Sequence, residues 1–205
     1  PAGVTKAEGE AVVTDAADLR DRLDDARGPD FDGLENAVSA LEQRVLDLGL
    51  VVAARAKAAE ALAARLALCG APEGCQPTEA TEIGDRARLL AEGLTQPYDD
   101  AMLSDAEAAA STLESDIAAL GKAVGEREAA AKALLDRLAD CTAPAGCLPD
   151  EGLAIATRAE DLSKALVTPY SDAMIGDTTP KVEKLEADRE ALVVLVDARA
   201  LKRAV

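Results

Sequence analysis

"LTQPYDDAMLSD", from Leu94 to Asp105, returns as "LVTPYSDAMIGD", from Leu166 to Asp177, seventy-two residues later. The same step recurs elsewhere. "ALEQRVLDLG" (Ala40–Gly49) returns as "TLESDIAALG" (Thr112–Gly121), and "KLEAD" (Lys184–Asp188) follows "TLESD" (Thr112–Asp116). "CGAPEGC" (Cys69–Cys75) becomes "CTAPAGC" (Cys141–Cys147), so all four cysteines lie in two copies of one loop. The match runs without a gap from about Phe31 to the end, and with a step of 71 nearer the N-terminus. Self-similarity at a fixed period of this size marks a repeat architecture. The boundaries it predicts are a partial repeat over 1–30, full repeats over 31–102 and 103–174, and a partial repeat over 175–205.

Each repeat holds one long and one short helical pattern. In the long pattern of the second repeat, apolar residues stand at Leu103, Ala106, Ala110, Leu113, Ile117, Leu120 and Val124, then at Ala131, Leu134, Leu138 and Cys141. Spacings of three and four make this a heptad seam. Only Arg127 interrupts it. The first repeat has the same seam with Arg55 at the interruption, and the third copy, starting at Ile175, carries Arg199 there. The short patterns read Val12, Ala16, Leu19, Leu23; Ile83, Ala87, Leu90, Leu94; and Ile155, Ala159, Leu162, Leu166. Thr78 and Asp150, each after a proline and before a glutamate, read as the caps that start the short helices. The turns at Pro97 and Pro169 read as their ends, because proline cannot continue a helix.

Composition supports helix. Apolar residues make up 49 % of the 205, much of that alanine, while aromatics are 1 % and tryptophan is absent. Alanine, leucine, glutamate and arginine favour helix, and the mixture belongs to the long-helix class. A net charge of −17 argues against nucleic acid or anionic membrane as a partner, since both need a basic surface. The chain has no histidine, the commonest general base and metal ligand. No apolar run approaches the ~18 residues that cross a membrane; "ALVVLV" (Ala191–Val196) is far too short. The start at Pro1 reads as a mature or excised segment.

Lengths convert to shape. Asp100–Cys141 as one helix spans about 63 Å and Asp150–Val167 about 27 Å. A long helix goes out, a short one returns part of the way, and the next long helix goes out again. Three helices overlap at each junction, and each repeat advances roughly 36 Å. The expected fold is all-α: an elongated rod of tandem ~72-residue repeats forming overlapping three-helix bundles with long continuous helices. This layout resembles that of spectrin repeats, in layout only. The alternative is a compact bundle with the long helices folded back.

The cysteine loops invite three readings. Two thiolates without histidine are too few for a zinc ion, and a redox CxxC motif has two intervening residues, not five. The expectation is therefore a structural disulfide in each loop, Cys69 with Cys75 and Cys141 with Cys147. These would staple the helical hairpins and place the protein in the periplasm, at the cell surface or in the medium, where such bonds persist.

The seam arginines suggest a structural junction. Near each one, the rod layout brings a turn carrying Tyr98 with Asp99 and Asp100, or Tyr170 with Asp172. Arginine can stack on an aromatic face and pair with a carboxylate, so Arg55 is expected to meet Tyr98 and Asp100, and Arg127 to meet Tyr170 and Asp172. The alternative is that phase drift carries the arginine to the bundle rim. The carboxylates of "PDFDG" (Pro29–Gly33) and "PYDD" (Pro97–Asp100) lack EF-hand spacing and read as helix starts. No phosphate loop or nucleophilic triad can be assembled. The expectation is a non-enzymatic structural or interaction protein without catalytic residues, metal or cofactor. It would be a spacer, stalk or fibre segment of a cell envelope or surface assembly, with protein partners or self-association through the chain ends. The rival is a helical extracytoplasmic sensor or ligand-binding module of a membrane receptor.

Overall fold

A computed structural model describes residues 3–25 and 31–204, with side chains over 3–25 and 33–203. Among these the chain is all-α. Its six helices are α1 (Lys6–Asp25), α2 (Phe31–Ala67), α3 (Pro77–Gly93), α4 (Asp100–Asp140), α5 (Pro149–Ala165) and α6 (Asp172–Ala204). Long and short helices alternate. The carboxylates of Pro29–Gly33 lie outside the described side chains.

The chain divides into two compact units. One comprises Pro1–Gly70 with Ile83–Ser115, the other Ala71–Glu82 with Asp116–Val205. In the first, α1 pairs with α2, and the buried apolar residues are Leu34, Ala59, Leu62 and Leu66 of α2, Ile83 and Ala87 of α3, and Ala110 and Leu113 of α4. In the second, α5 pairs with α6. Its core joins three helices: Leu134 and Leu138 of α4, Ile155 of α5, and Val182, Leu185 and Leu192 of α6, with Cys141 and Leu166 between them. These are the seam positions of the heptad pattern, which a helix must bury against a neighbour to be stable in water.

The short helices start one or two residues earlier than Thr78 and Asp150 suggested. Pro77 and Pro149 are the first helical residues, where the missing N–H costs nothing and the fixed φ suits a helix. The cap positions fall to Gln76 and Leu148. Neither needs a capping side chain of its own. The Gln76 N–H donates to Glu79 Oε2 at 2.8 Å, and the Leu148 N–H to Glu151 Oε2 at 3.0 Å. At α1 the box is complete: the Thr5 N–H donates to Glu8 Oε2 at 3.0 Å and the Glu8 N–H to Thr5 Oγ1 at 3.4 Å. Asp99 and Ser171 cap α4 and α6, accepting from the Met102 and Met174 N–H groups.

The expected disulfides are not present. Cys69, Cys75, Cys141 and Cys147 are free thiols. The Cys69 thiol donates to the Arg65 carbonyl at 3.6 Å. Cys141 is buried in the α4–α5–α6 core, and that burial raises its thiol pKa. The loop is held by its backbone. The Cys75 N–H donates to the Pro72 carbonyl at 3.4 Å, and the Cys147 N–H to the Pro144 carbonyl at 3.3 Å. The third residue of each turn, Gly74 or Gly146, has φ of +83° or +86°, the type II geometry that favours glycine. Space requires it too: a Cβ on Gly74 would stand 3.0 Å from Val124 Cγ1 and 2.9 Å from Glu128 Oε1. A turn closed in this way needs no cross-link to keep its shape.

Candidate functional site: a repeated arginine–carboxylate clamp

Three seam arginines each reach the first turn of a short helix. Arg55 Nη1 donates to Glu8 Oε1 at 2.8 Å. Arg127 binds Glu79 with two hydrogen bonds, at 2.7 and 3.2 Å. Arg199 binds Glu151 likewise, at 2.7 and 2.8 Å. The glutamate is the third helical residue in every case. One carboxylate therefore does two jobs: it accepts the free N–H at the helix start and holds the guanidinium of the neighbouring long helix. A negative charge at this end also suits the helix dipole.

The arginines are drawn from water to different degrees. The Arg127 side chain is 7 % exposed, that of Arg55 10 % and that of Arg199 33 %. Burial of a guanidinium requires paired charge and hydrogen bonds, and the inner two have a second carboxylate nearby. Arg55 grips Asp100 with a two-pronged contact, Nε to Oδ1 at 2.9 Å and Nη2 to Oδ2 at 2.8 Å. Arg127 meets the backbone of Tyr170, donating to its carbonyl at 3.4 Å, while its Nε stands 3.7 Å from Asp172 Oδ2. That Nε is buried and without a hydrogen-bond partner. The structure thus brings Arg55 to Asp100, and Arg127 to Tyr170 and Asp172. Tyr170 packs against the apolar core of its unit, and Tyr98 is half-buried.

Charge is locked in place. The Arg55 guanidinium lowers the carboxyl pKa of Glu8 and of Asp100, and Arg127 lowers that of Glu79. Arg199, with help from the Leu148 N–H, takes Glu151 down to about 2. The arginine pKa values rise in return. The carboxyls stay ionised and the guanidiniums stay protonated near neutral pH, so neither side exchanges protons there. The arrangement is an ionic clamp between helices.

A second ion pair recurs with it. Arg65 binds Glu114 with two hydrogen bonds of 2.6 Å, and Arg137 binds Glu186 at 2.8 and 2.5 Å. Sequence reasoning missed these and missed the three glutamates as arginine partners. Their signal was periodic: Glu8, Glu79 and Glu151 keep the step of the repeat, as do Arg65 with Arg137 and Glu114 with Glu186. Among the described residues no group of three or more cysteine, aspartate or glutamate side chains gathers as a metal site, and no helix is long and apolar enough to cross a membrane. No family model, curated protein or solved structure matches the chain.

Proposed function

We propose that the chain is a non-enzymatic spacer or scaffold segment: an extended series of overlapping helical bundles whose length is set by the number of repeats. The observation that carries this reading is the clamp itself. The same Glu–Arg contact occurs at three successive points one period apart, each joining the start of a short helix to the long helix that follows it. A joint repeated at constant register serves length and stiffness, and its components are spent on one another rather than turned to a ligand. Protein contacts at the chain ends complete the proposal.

Small-angle X-ray scattering at several concentrations tests it. A compact chain of this length has a radius of gyration near ~17 Å. An extended one about 100 Å long has roughly 30 Å. The larger value, independent of concentration, is expected. The smaller one would overturn the spacer and favour the sensor reading.

A further inference from the structure

The side of α2 turned away from its buried seam is apolar. Leu46 and Leu50, one turn apart, are 64 % and 71 % exposed. Ala53, Ala54 and Ala61 continue the same face and are exposed too. A helix gathers these positions on one side, because residues three, four and seven apart lie above one another. The face is not an unfilled place in the repeat. Seventy-two residues on, in the middle of the chain, Ala118 and Lys122 of α4 stand where Leu46 and Leu50 stand in α2, and both are exposed. Among the described residues no neighbouring repeat covers them, and Lys122 pairs only with Glu126 of its own helix. In α6 the two positions hold Glu190 and Val194. Leucine at both is peculiar to α2, so the period accounts for the seam and leaves this face unexplained.

Size and charge say what lies on it. Along the face the leucines occupy the N-terminal half and the alanines the C-terminal half, with Asp47 in the first and Lys57 in the second. Asp47 accepts a hydrogen bond from Gln43 of its own helix at 2.8 Å, and Lys57 has no carboxylate partner among the described residues. Two copies laid antiparallel, about a two-fold axis at the level of residue 52, put Leu50 of each over Ala54 of the other and Asp47 over Lys57. Large side chains then fill the space above small ones, as close packing requires, and opposite charges meet. A parallel pair would set leucine over leucine, Asp47 over Asp47 and Lys57 over Lys57, which costs affinity. We propose that this face of α2 is a lateral self-association surface, on which a second copy of the chain lies antiparallel with Leu50 on Ala54 and Asp47 on Lys57. The contact from Gln43 to Ala61 is about 28 Å long and about 10 Å wide, well under the ~800 Å² per partner of a stable complex. Pairing is therefore reversible and belongs to the upper end of a concentration series. It goes beyond the spacer reading and does not depend on an extended shape. Scattering on a Leu50→Glu chain reads the single copy, so the two can fail separately.

Sedimentation equilibrium of the full chain under reducing conditions, from micromolar to millimolar, tests the proposal. A monomer–dimer equilibrium is expected. Leu50→Glu, a change at an exposed site, should weaken it about tenfold or more. Asp47→Lys should weaken it about tenfold by setting like charges over one another, and adding Lys57→Asp should restore the parent value. Zero-length carbodiimide coupling of mixed isotope-labelled and unlabelled chains should give an Asp47–Lys57 link between copies. Within one helix those residues are about 15 Å apart, too far for a direct amide. A parent chain that stays a single copy throughout overturns the proposal, as does a dimer that Leu50→Glu leaves unchanged. A dimer indifferent to Asp47→Lys, or one that gives no Asp47–Lys57 link, is not paired at this register and overturns it too.

Discussion

The α1–α2 and α5–α6 pairs occupy equivalent places in the repeat, and they differ in the polarity of one ion pair and in burial. Both have a short helix beside a long one, a glutamate clamp at the start of the short helix, and an ion pair across the middle. That ion pair has opposite polarity: Asp15 of α1 with Arg44 of α2, against Arg158 of α5 with Asp188 of α6. Yet α1 buries none of its described residues, while α5 buries Ile155 against Val182 and Leu185. Pairing and register thus follow from local pattern and charge, which both hairpins possess. Dryness follows from the third helix, which among the described residues packs on α5–α6 and not on α1–α2. The polarity exchange carries a related lesson: the pair needs opposite signs across the interface, and which helix carries which sign is free.

Truncation of the core should separate the two hairpins most. Leu185→Ala should cost about 2–5 kcal/mol, the range for deleting a fully buried leucine side chain. Leu41→Ala, at the same seam position, should cost clearly less. Urea unfolding followed by circular dichroism measures both, and equal losses would break the comparison.

The clamp comes next. Glu79→Ala leaves the buried Arg127 without its main partner and should lower stability by roughly 2–3 kcal/mol. Replacing both, as Glu79→Leu with Arg127→Met, should recover most of that, because the lone buried charge is then gone. A double variant as weak as the single one would show that packing, not charge, is what the clamp supplies. Glu151→Ala should cost less than Glu79→Ala, since Arg199 is a third exposed.

Acid should weaken the clamps together. The folded carboxyls of Glu8, Glu79 and Glu151 lie below the ordinary 4.5. A depressed folded pKa stabilises the fold fully above the unfolded value and loses that contribution as pH falls through the folded one. For Glu151 the loss runs from about 4.5 to about 2. Unfolding midpoints should therefore hold from pH 7 to pH 5 and fall below that. In the Glu79→Ala variant the fall should be shallower.

Smaller again is the exchanged ion pair. Asp15→Arg alone should move stability by under ~1 kcal/mol, as exposed pairs do, and adding Arg44→Asp should restore it. The smallest effect belongs to the cysteines. Reductant should leave the unfolding midpoint unchanged, and denatured, unreduced protein should show four reactive thiols. Fewer thiols would restore the disulfide reading of the Ala-Pro loops.

Much of this was legible in the chain. The long and short helices, their order, and the arginine at one seam position all follow from periodicity, because a helix presents every third or fourth residue to its neighbour. The glutamate partners were less visible. Glu79 sits near Thr78 in a helix start that reads as an ordinary cap, and its second role depends on which residue of a long helix lies opposite. The fate of the cysteines was not legible at all, because spacing permits a bond without requiring one. A backbone hydrogen bond and one left-handed glycine close each turn instead. Local physics, repeated with a constant step, is enough to set helices, caps and seam. Burial is a property of three helices meeting, and Val38 and Val182 carry the same side chain at the same phase with opposite exposure. Only the packed chain could tell them apart.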